Sequence, residues 1–502
     1  MIVPAVQAET AAFLRNLADQ DPVETHISLV FLGADTVWKL KKSVRLSFLD
    51  FTDPHQRHRF LLRELVLNAS GAPGLYRDVV AVVHRPDGTL ALGEGENAAF
   101  SPLDWVLRMA RVPATDFLDI MAAEGKLDAI LLDQLADEVA AYHARALVAH
   151  IDVVASMRAV IEGNLRAANA AGLPERALSE WQARIMPVLH AGADRLRARA
   201  ASGFVRRGHG DLHLGNLCLW QGRPAAFDAL EFDEDLATID TGYDLSFLLM
   251  DLDCRVDRAA ANRVMNRYVA RTGDAGLTAL LPLFLSLRAM VLAHVRLTRG
   301  DPAASAGYLK AALDYLKPVA PVALAIGGLQ GSGKSTLARA LAPNLGPAPG
   351  ALVLRSDEIR KLRNGVAPED PLPNAAYTEA ESMAVFAALA EALGETVSGG
   401  HSVIADATFV DPAHRHAVTV AAQEAGVPFL GLWLDAPLSL LESRITARQN
   451  DASDATVAVL RASSRAKTIP PHRWPKINAA EFEPALAAAS KAVLELQSRS
   501  AN

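Results

Sequence analysis

Gly328-Leu329-Gln330-Gly331-Ser332-Gly333-Lys334-Ser335-Thr336 stands directly after an apolar run at 322–326 and directly before a helical run at 337–341. Strand, glycine loop and helix form the context that a Walker A motif requires. Gly328, Gly331 and Gly333 let the backbone wrap around phosphates, so that the amides of the loop, Ser332 among them, and the helix N-terminus are directed at negative charge. Lys334 is expected to bridge the outer phosphates of ATP, Ser335 to hold Mg²⁺, and Thr336 to complete the motif.

Further acids and cations follow where an open α/β sheet binds its ligands. Ser356-Asp357-Glu358-Ile359-Arg360 comes at the end of the next apolar run, 351–354. Asp357 can accept a proton from an attacking hydroxyl and Arg360 can hold the acceptor, with a helix N-cap and a surface arginine as the plain alternatives. A third run, 402–406, ends in Asp406, a Walker B-like position near the metal, although strand-end Asp residues also cap loops. Arg444 and Arg448 lie four apart after Pro437, which predicts two cations on one helical face; surface ion pairing explains either alone. With a fourth run at 429–434, strands alternate with helical segments and predict a doubly wound parallel sheet.

Taken together, Gly328 to Ser335, Asp357-x-x-Arg360, Asp406 and the Arg444/Arg448 pair resemble the P-loop kinases grouped with polynucleotide kinase and gluconate kinase, over about residues 318–480. The resemblance implies that Asp357 and Arg360 serve an acceptor hydroxyl and that a lid supplies Arg444 and Arg448. It does not name the acceptor.

Upstream, Lys317-Pro318-Val319-Ala320-Pro321 punctuates the pattern and sets the expected boundary between a first domain, 1–317, and a second, 318–502. The first opens with strand patterns at 27–31, 36–40, 79–84 and 103–109 and turns helical after Asp116, which predicts a small mixed lobe over about 1–112 and a helical lobe over about 113–317. Within the helical part, 203–228 is rich in loop residues and contains a hairpin turning at Gln221-Gly222-Arg223.

That insert holds the second constellation, His209-Gly210-Asp211-Leu212-His213-Leu214-Gly215-Asn216, followed by Phe227-Asp228. An Asp and an Asn five apart, with a second Asp after a hairpin, is the arrangement of a kinase catalytic loop. Asp211, beside His209, is the candidate base for an acceptor hydroxyl, and Asn216 and Asp228 are candidate Mg²⁺ ligands. The motif resembles the aminoglycoside phosphotransferase and choline kinase superfamily, which has the protein-kinase-like fold. A bilobal kinase-like α+β domain followed by a P-loop α/β domain is therefore expected.

On the strand at 36–40, Val37 and Lys39 share one face with Lys41, and the choice of Lys39 for the ATP phosphates is led by the resemblance. Its expected partner is Glu64, set among Phe60, Leu61 and Leu65 on one helical face, with Arg57 or Arg63 as alternative partners for that acid. The turn Leu32-Gly33-Ala34-Asp35 has one glycine and no GxGxxG, and no activation-loop signature follows Asp228; both point to a small-molecule kinase. The acids Glu231, Asp233, Glu234, Asp235, Asp240 and Asp244 read as a solvated face in preference to a pocket for a cationic acceptor.

The 502 residues are 51% hydrophobic and 21% charged, a globular mixture long enough for two or more cores. No apolar run of signal-peptide or uninterrupted membrane length is read, and two cysteines make no disulfide framework, so a cytoplasmic enzyme without a membrane is expected. A net charge of -7 disfavours polyanion binding by the whole molecule. The leading expectation is a bifunctional ATP- and Mg²⁺-dependent kinase for small-molecule hydroxyls. Two alternatives stand beside it: a P-loop switch that regulates the other module, and a polynucleotide 5′-hydroxyl kinase supported by Arg461, Arg465, Lys467, Arg473, Trp474 and Lys476. Oligomeric state has no signature in the sequence.

Overall fold

The computed structural model describes residues 3–46, 49–69, 71–448, 451–465 and 473–500, so Lys467 lies outside the described residues. Contacts divide the chain into two compact units, one of Met1–Glu138, Tyr142–His150 and Gly203–Asp244, the other of Val139–Ala141, Ile151–Ser202 and Leu245–Asn502. The division differs from a cut at residues 318–321, because helices from before that linker pack with the C-terminal sheet.

In the first unit, strands β1 (Val23–Glu24), β2 (Ser28–Leu32), β3 (Thr36–Lys41), β4 (Tyr76–His84), β5 (Leu90–Leu92) and β6 (Pro102–Ala110) form an antiparallel sheet in the order β1-β2-β3-β6-β4-β5. Period-two alternation gives β3 two faces. Leu40 joins Leu29, Phe31, Val82 and Val106 under helix α1 (Ala8–Ala18), whose Leu14 is fully buried. Each such leucine contributes about 1.5–3 kcal/mol by leaving water. The opposite face carries Lys39 and Lys41, and a neighbouring cluster packs Leu61 of helix α2 (Pro54–Ala69) against Leu107 and Tyr76.

Strands β7 (Val205–Arg207) and β10 (Thr238–Asp240) pair, and β8 (Leu217–Trp220) pairs with β9 (Arg223–Ala226) across a two-residue turn. Gln221 and Gly222 take φ of 52° and 77°, the double left-handed conformation that this hairpin needs.

In the second unit, β11 (Ala323–Gly328), β12 (Leu352–Arg355), β13 (Val403–Asp406), β14 (Phe429–Asp435) and β15 (Lys476–Asn478) form a parallel sheet in the order β12-β13-β11-β14-β15. β11, β12 and β13 are buried along their length, as expected of a parallel sheet. Leu324, Ile326, Ile404, Leu432 and Leu434 form a core with Leu337 and Leu341.

Helix α3 (Thr241–Arg255) begins in the first unit and ends in the second, and is followed by α4 (Arg258–Thr272) and α5 (Leu281–Thr298). The stretch Ala275–Thr298 is long and apolar enough to cross a membrane by composition, but 78% of its apolar 18-residue window is buried within the protein, the mark of a core helix. Helix α4 lies along the edge strand β12. Asn266 Oδ1 accepts the Val353 N–H at 2.6 Å, and the side chains of Asn262 and Asn266 donate to the Ala351 carbonyl at 3.0 and 3.3 Å.

Candidate active sites

The glycine loop joins β11 to helix α6 (Lys334–Leu341), with Gly333 as N-cap at φ 88°. Gly331 has φ 79°, and a Cβ there would stand 2.7 Å from the Leu441 carbonyl oxygen, so a larger residue would have to break the loop's close approach. The loop borders an open cleft of about 1160 Å³ lined also by Asp357, Arg360, Asp406, Arg444 and Arg448. Every second-unit site residue expected from the sequence, apart from Gly328, thus lies on one cavity.

Asp406 closes β13 opposite Ile326 of β11 and Arg355 of β12, and its Oδ2 accepts the Ser335 hydroxyl at 2.5 Å. A serine hydroxyl and a carboxylate beside an ammonium are the hard oxygen donors that suit Mg²⁺, so these residues fit that ion. Lys334 Nζ donates to the Leu329 carbonyl at 3.1 Å; burial pushes its pKa down, with Asp406 and Asp357 acting against that shift. Asp357 is the second residue of helix α7 (Ser356–Arg363). The N-cap position falls on Arg355 with no side-chain cap bond, so neither Ser356 nor Asp357 caps the helix. Burial pushes the Asp357 carboxyl above its ordinary value.

Arg360 is buried, donates to the Ala376 carbonyl at 2.8 Å and lies over the Tyr377 ring. Helix α8 (Leu438–Ala447) ends before Arg448, which adopts extended backbone as its C-cap. The two arginines therefore do not share a helical face: the chain leaves the helix after Ala447. Both still line the cleft, Arg444 held by the carbonyls of Ala479 and Ala480 at 2.9 and 2.8 Å, and Arg448 by that of Ala455 at 2.7 Å.

Arg355, which the sequence reading passed over, is the buried hub of this wall. It contacts Glu358 at 2.8 Å, Asp451 at 2.7 Å and Asp406 at 3.4 Å. Its signal was a charged residue ending an apolar strand. In the C-terminal basic stretch, Arg461 pairs with Glu442, Lys476 pairs with Asp435, and the Trp474 ring is buried beside Phe409. A buried ring offers no face for stacking a base.

In the first unit, Lys39 Nζ meets Glu64 Oε1 at 2.7 Å and also pairs with Asp228. Lys41, fully buried, meets Glu64 Oε2 at 2.8 Å and pairs with Glu231. One carboxylate thus serves both lysines of the shared face. The alternative partners are engaged elsewhere, Arg57 with Asp104 and Arg63 with Glu234. Burial would lower Lys39, but Asp228 and Glu64 outweigh it and hold the ammonium well above its ordinary value; Lys41 is raised by Glu64 and Glu231 in the same way. Against burial, the two ammonium groups hold Glu64 at about 2. Burial and repulsion from Glu64 and Asp228 push Glu231 upward despite Lys41. The asymmetry is physical, since Glu64 has two cations and Glu231 one.

Asn216 Nδ2 donates to both the backbone oxygen and Oδ2 of Asp211 at 2.9 Å, and the Asn216 carbonyl accepts the Phe227 N–H at 3.0 Å, bringing the Asp228 end of the hairpin alongside. Asp228 sits at φ 61° with its N–H on the Tyr76 hydroxyl at 2.8 Å. The donor half of the Asn216 amide is thus used, and its oxygen and the Asp228 carboxylate suit Mg²⁺. His209 packs against the hairpin. Its ring is buried, Nε2 meets the Phe227 carbonyl at 3.0 Å, and burial lowers its pKa, which favours the neutral ring.

Half of the acids expected to form a solvated face are turned inward. Glu231 is held by Lys41, Asp240 accepts the Gly242 N–H at 2.7 Å, and Asp244 is fully buried. Asp244 Oδ2 takes the His209 N–H at 2.6 Å, and Oδ1 takes the Gly210 N–H at 3.0 Å. A Cβ on Gly208 would come within 2.6 Å of the same carboxylate. For Asp240 and Asp244, backbone amides that would otherwise be unmet, not solvent, are what the acid satisfies. Asp233, Glu234 and Asp235 are the outward remainder.

Comparison with known proteins bears on both halves. The protein named "Uncharacterized protein Rv2004c" from Mycobacterium tuberculosis (strain ATCC 25618 / H37Rv) is 30% identical over 458 residues, covering 88% of either chain. The chain belongs to that family. The model of the AAA domain family matches residues 324–468. The adenylyl-sulfate kinase of Myxococcus xanthus (strain DK1622) is 34% identical over 118 residues, 23% of this chain and 59% of that one. A choline/ethanolamine kinase family protein from Mesorhizobium loti aligns in structure with a TM-score of 0.37 at 12% identity, over 62% of this chain and 95% of that one. In fold class the chain is mixed: an antiparallel sheet with helices, then a parallel sheet that carries the glycine loop.

Proposed function

We propose that the chain is an ATP-dependent phosphotransferase with two sites, each moving the γ-phosphoryl group to a hydroxyl of a small molecule. The observation that carries this reading is the single cleft that gathers the glycine loop, Lys334, the Ser335–Asp406 pair and Asp357. In the second site the loop amides and Lys334 cradle the phosphates. Asp357, its carboxyl raised by burial, takes the acceptor proton, and Arg444 and Arg448 offset charge on the transferred group. Mg²⁺, when bound, neutralises phosphate charge, and Ser335 and Asp406 are the residues that would hold it.

In the first site Lys39, fixed by Glu64, orients the phosphates, and Asp211, fixed by Asn216, receives the acceptor proton. Asn216 and Asp228 would hold the ion there. A regulatory reading of the P-loop module has one observation in its favour, the seating of α4 on β12, which joins helices of the first half to the P-loop sheet.

The test is transfer from γ-labelled ATP over aminosugars, polyols, nucleosides and a 5′-hydroxyl RNA, using wild type, D211N and K334A. Each substitution is expected to remove a different labelled product. If K334A abolishes acceptor-independent hydrolysis while changing only the rate of an Asp211-dependent transfer, the P-loop module is a regulator and the two-reaction reading is wrong.

A further inference from the structure

Arg355 closes β12 where three carboxylates converge, and its side chain is only 5% exposed. Glu358, in the first turn of α7, accepts from Nη1 at 2.8 Å. Asp451, which precedes the helix Val457–Arg465, accepts from Nη2 at 2.7 Å. Asp406, at the end of β13, stands 3.4 Å from Nε, and this buried nitrogen makes no hydrogen bond among the described residues. The link to Asp406 is therefore one of charge. It falls on Oδ2, the same oxygen that accepts the Ser335 hydroxyl at 2.5 Å. A second cation, Arg339, stands farther off, 3.9 Å from Glu358. Arg355 lines the cleft together with Lys334 and Ser335, so its charge faces the ground where phosphates are expected.

Carboxylates drawn this close need a counter-charge, and here it is supplied by a guanidinium with two of its three nitrogens fixed. The guanidinium also keeps the acids apart: among the described residues no three acidic, histidine or cysteine side chains are grouped to hold a metal. An internal cation beside Asp406 repels a divalent cation that arrives alone, and it attracts the phosphates of a nucleotide. One residue thus exerts two effects of opposite sign. We propose that Arg355 makes the second site selective for a metal–nucleotide complex over the free divalent cation. It fills the centre of the wall formed by Asp406, Glu358 and Asp451, so that Asp406 and Ser335 hold the ion only when phosphates arrive with it. Arg355 acts through Asp406 and is a positioning residue.

The proposal rests on the reading of Ser335 and Asp406 as holders of the ion, and the experiment separates the two. Mn²⁺, followed by its paramagnetic signal, is titrated into the full chain alone and as its complex with a non-hydrolysable ATP analogue. Wild type, R355M and R355K are compared, and the Asp406-dependent part of each is the difference from the same chain carrying D406N. R355M should bind free Mn²⁺ at least about tenfold more tightly than wild type, and the Mn²⁺–analogue complex at least about tenfold more weakly. R355K, which keeps the charge, should stay close to wild type in both. Opposite signs set this role apart from a structural one, because a damaged fold weakens both. Changes of one sign in the two titrations, no change in either, or R355K behaving as R355M would overturn the proposal while leaving the reading of the site in place. Should R355M fail to fold, wild type decides: Asp406-dependent binding of free Mn²⁺ as tight as that of the complex overturns the proposal. No Asp406-dependent binding of either form would remove the reading of the site as well.

Discussion

Replacing Glu64 by glutamine removes a charge that contacts both buried lysines, keeps the side chain's size and leaves its neighbours in place. The carboxyl has no exposed surface and is held at about 2 against an ordinary value of 4.5. At about 1.4 kcal/mol per pKa unit this amounts to roughly 3 kcal/mol, the low end of the ~3–5 kcal/mol that follows loss of one partner from a buried pair. The low end is appropriate because Lys39 keeps Asp228 and Lys41 keeps Glu231. Folding lowers this pKa, so the contribution is complete above 4.5 and is lost as pH falls toward 2. Hydrogen exchange of the slowest amides in β3 and α2, read in the full chain, reports the affected unit directly. E64Q should cut their protection roughly a hundredfold at neutral pH, with the difference from wild type falling to less than about half, in free energy, by pH ~3. A loss below about tenfold at neutral pH, or one equally large in acid, would refute the shared-carboxylate reasoning.

The raised Asp357 carboxyl predicts that phosphoryl transfer at the second site climbs with pH through a value above the ordinary 3.8, because the ionised form accepts the proton. D357N should flatten that limb and slow transfer by about 10²–10⁴-fold; an unchanged pH–rate profile would remove Asp357 from that role. Asn266→Ala strips the Val353 N–H of its acceptor on a strand residue that is only 7% exposed. A cost of about 1–3 kcal/mol is expected for a buried donor left unmet, read as faster exchange of β12 amides, and wild-type protection there would contradict it.

How far the sequence could be read depends on how local each determinant is. The glycine loop and the catalytic loop are contiguous, so their residue order alone announced a phosphate cradle and an acid-amide pair. Lys39 and Glu64 are 25 residues apart, yet strand period and helix period each placed one on an apolar face, and the pair forms. That Lys41 shares the same carboxylate was beyond this reasoning, because period two puts both lysines on one face and tertiary packing decides which acid each meets. The inward acids were misjudged for a related reason. A run of Asp and Glu resembles a solvated face until the backbone amides it satisfies are located, and those beneath Asp244 lie 34 and 35 residues away. Arg448 followed helical spacing from Arg444, but the helix stops at Ala447, where no glycine or proline marks the end.

The side chains of α4 that occupy the border of β12 also govern what each half of the chain can do alone. A polypeptide begun at residue 318 would contain every strand of the parallel sheet, yet it would leave the amide of Val353 and the carbonyl of Ala351 without their asparagines. A bare strand border of that kind invites pairing with another copy. A fragment cut at the Pro318–Pro321 linker would therefore carry an unguarded strand border at Ala351 and Val353.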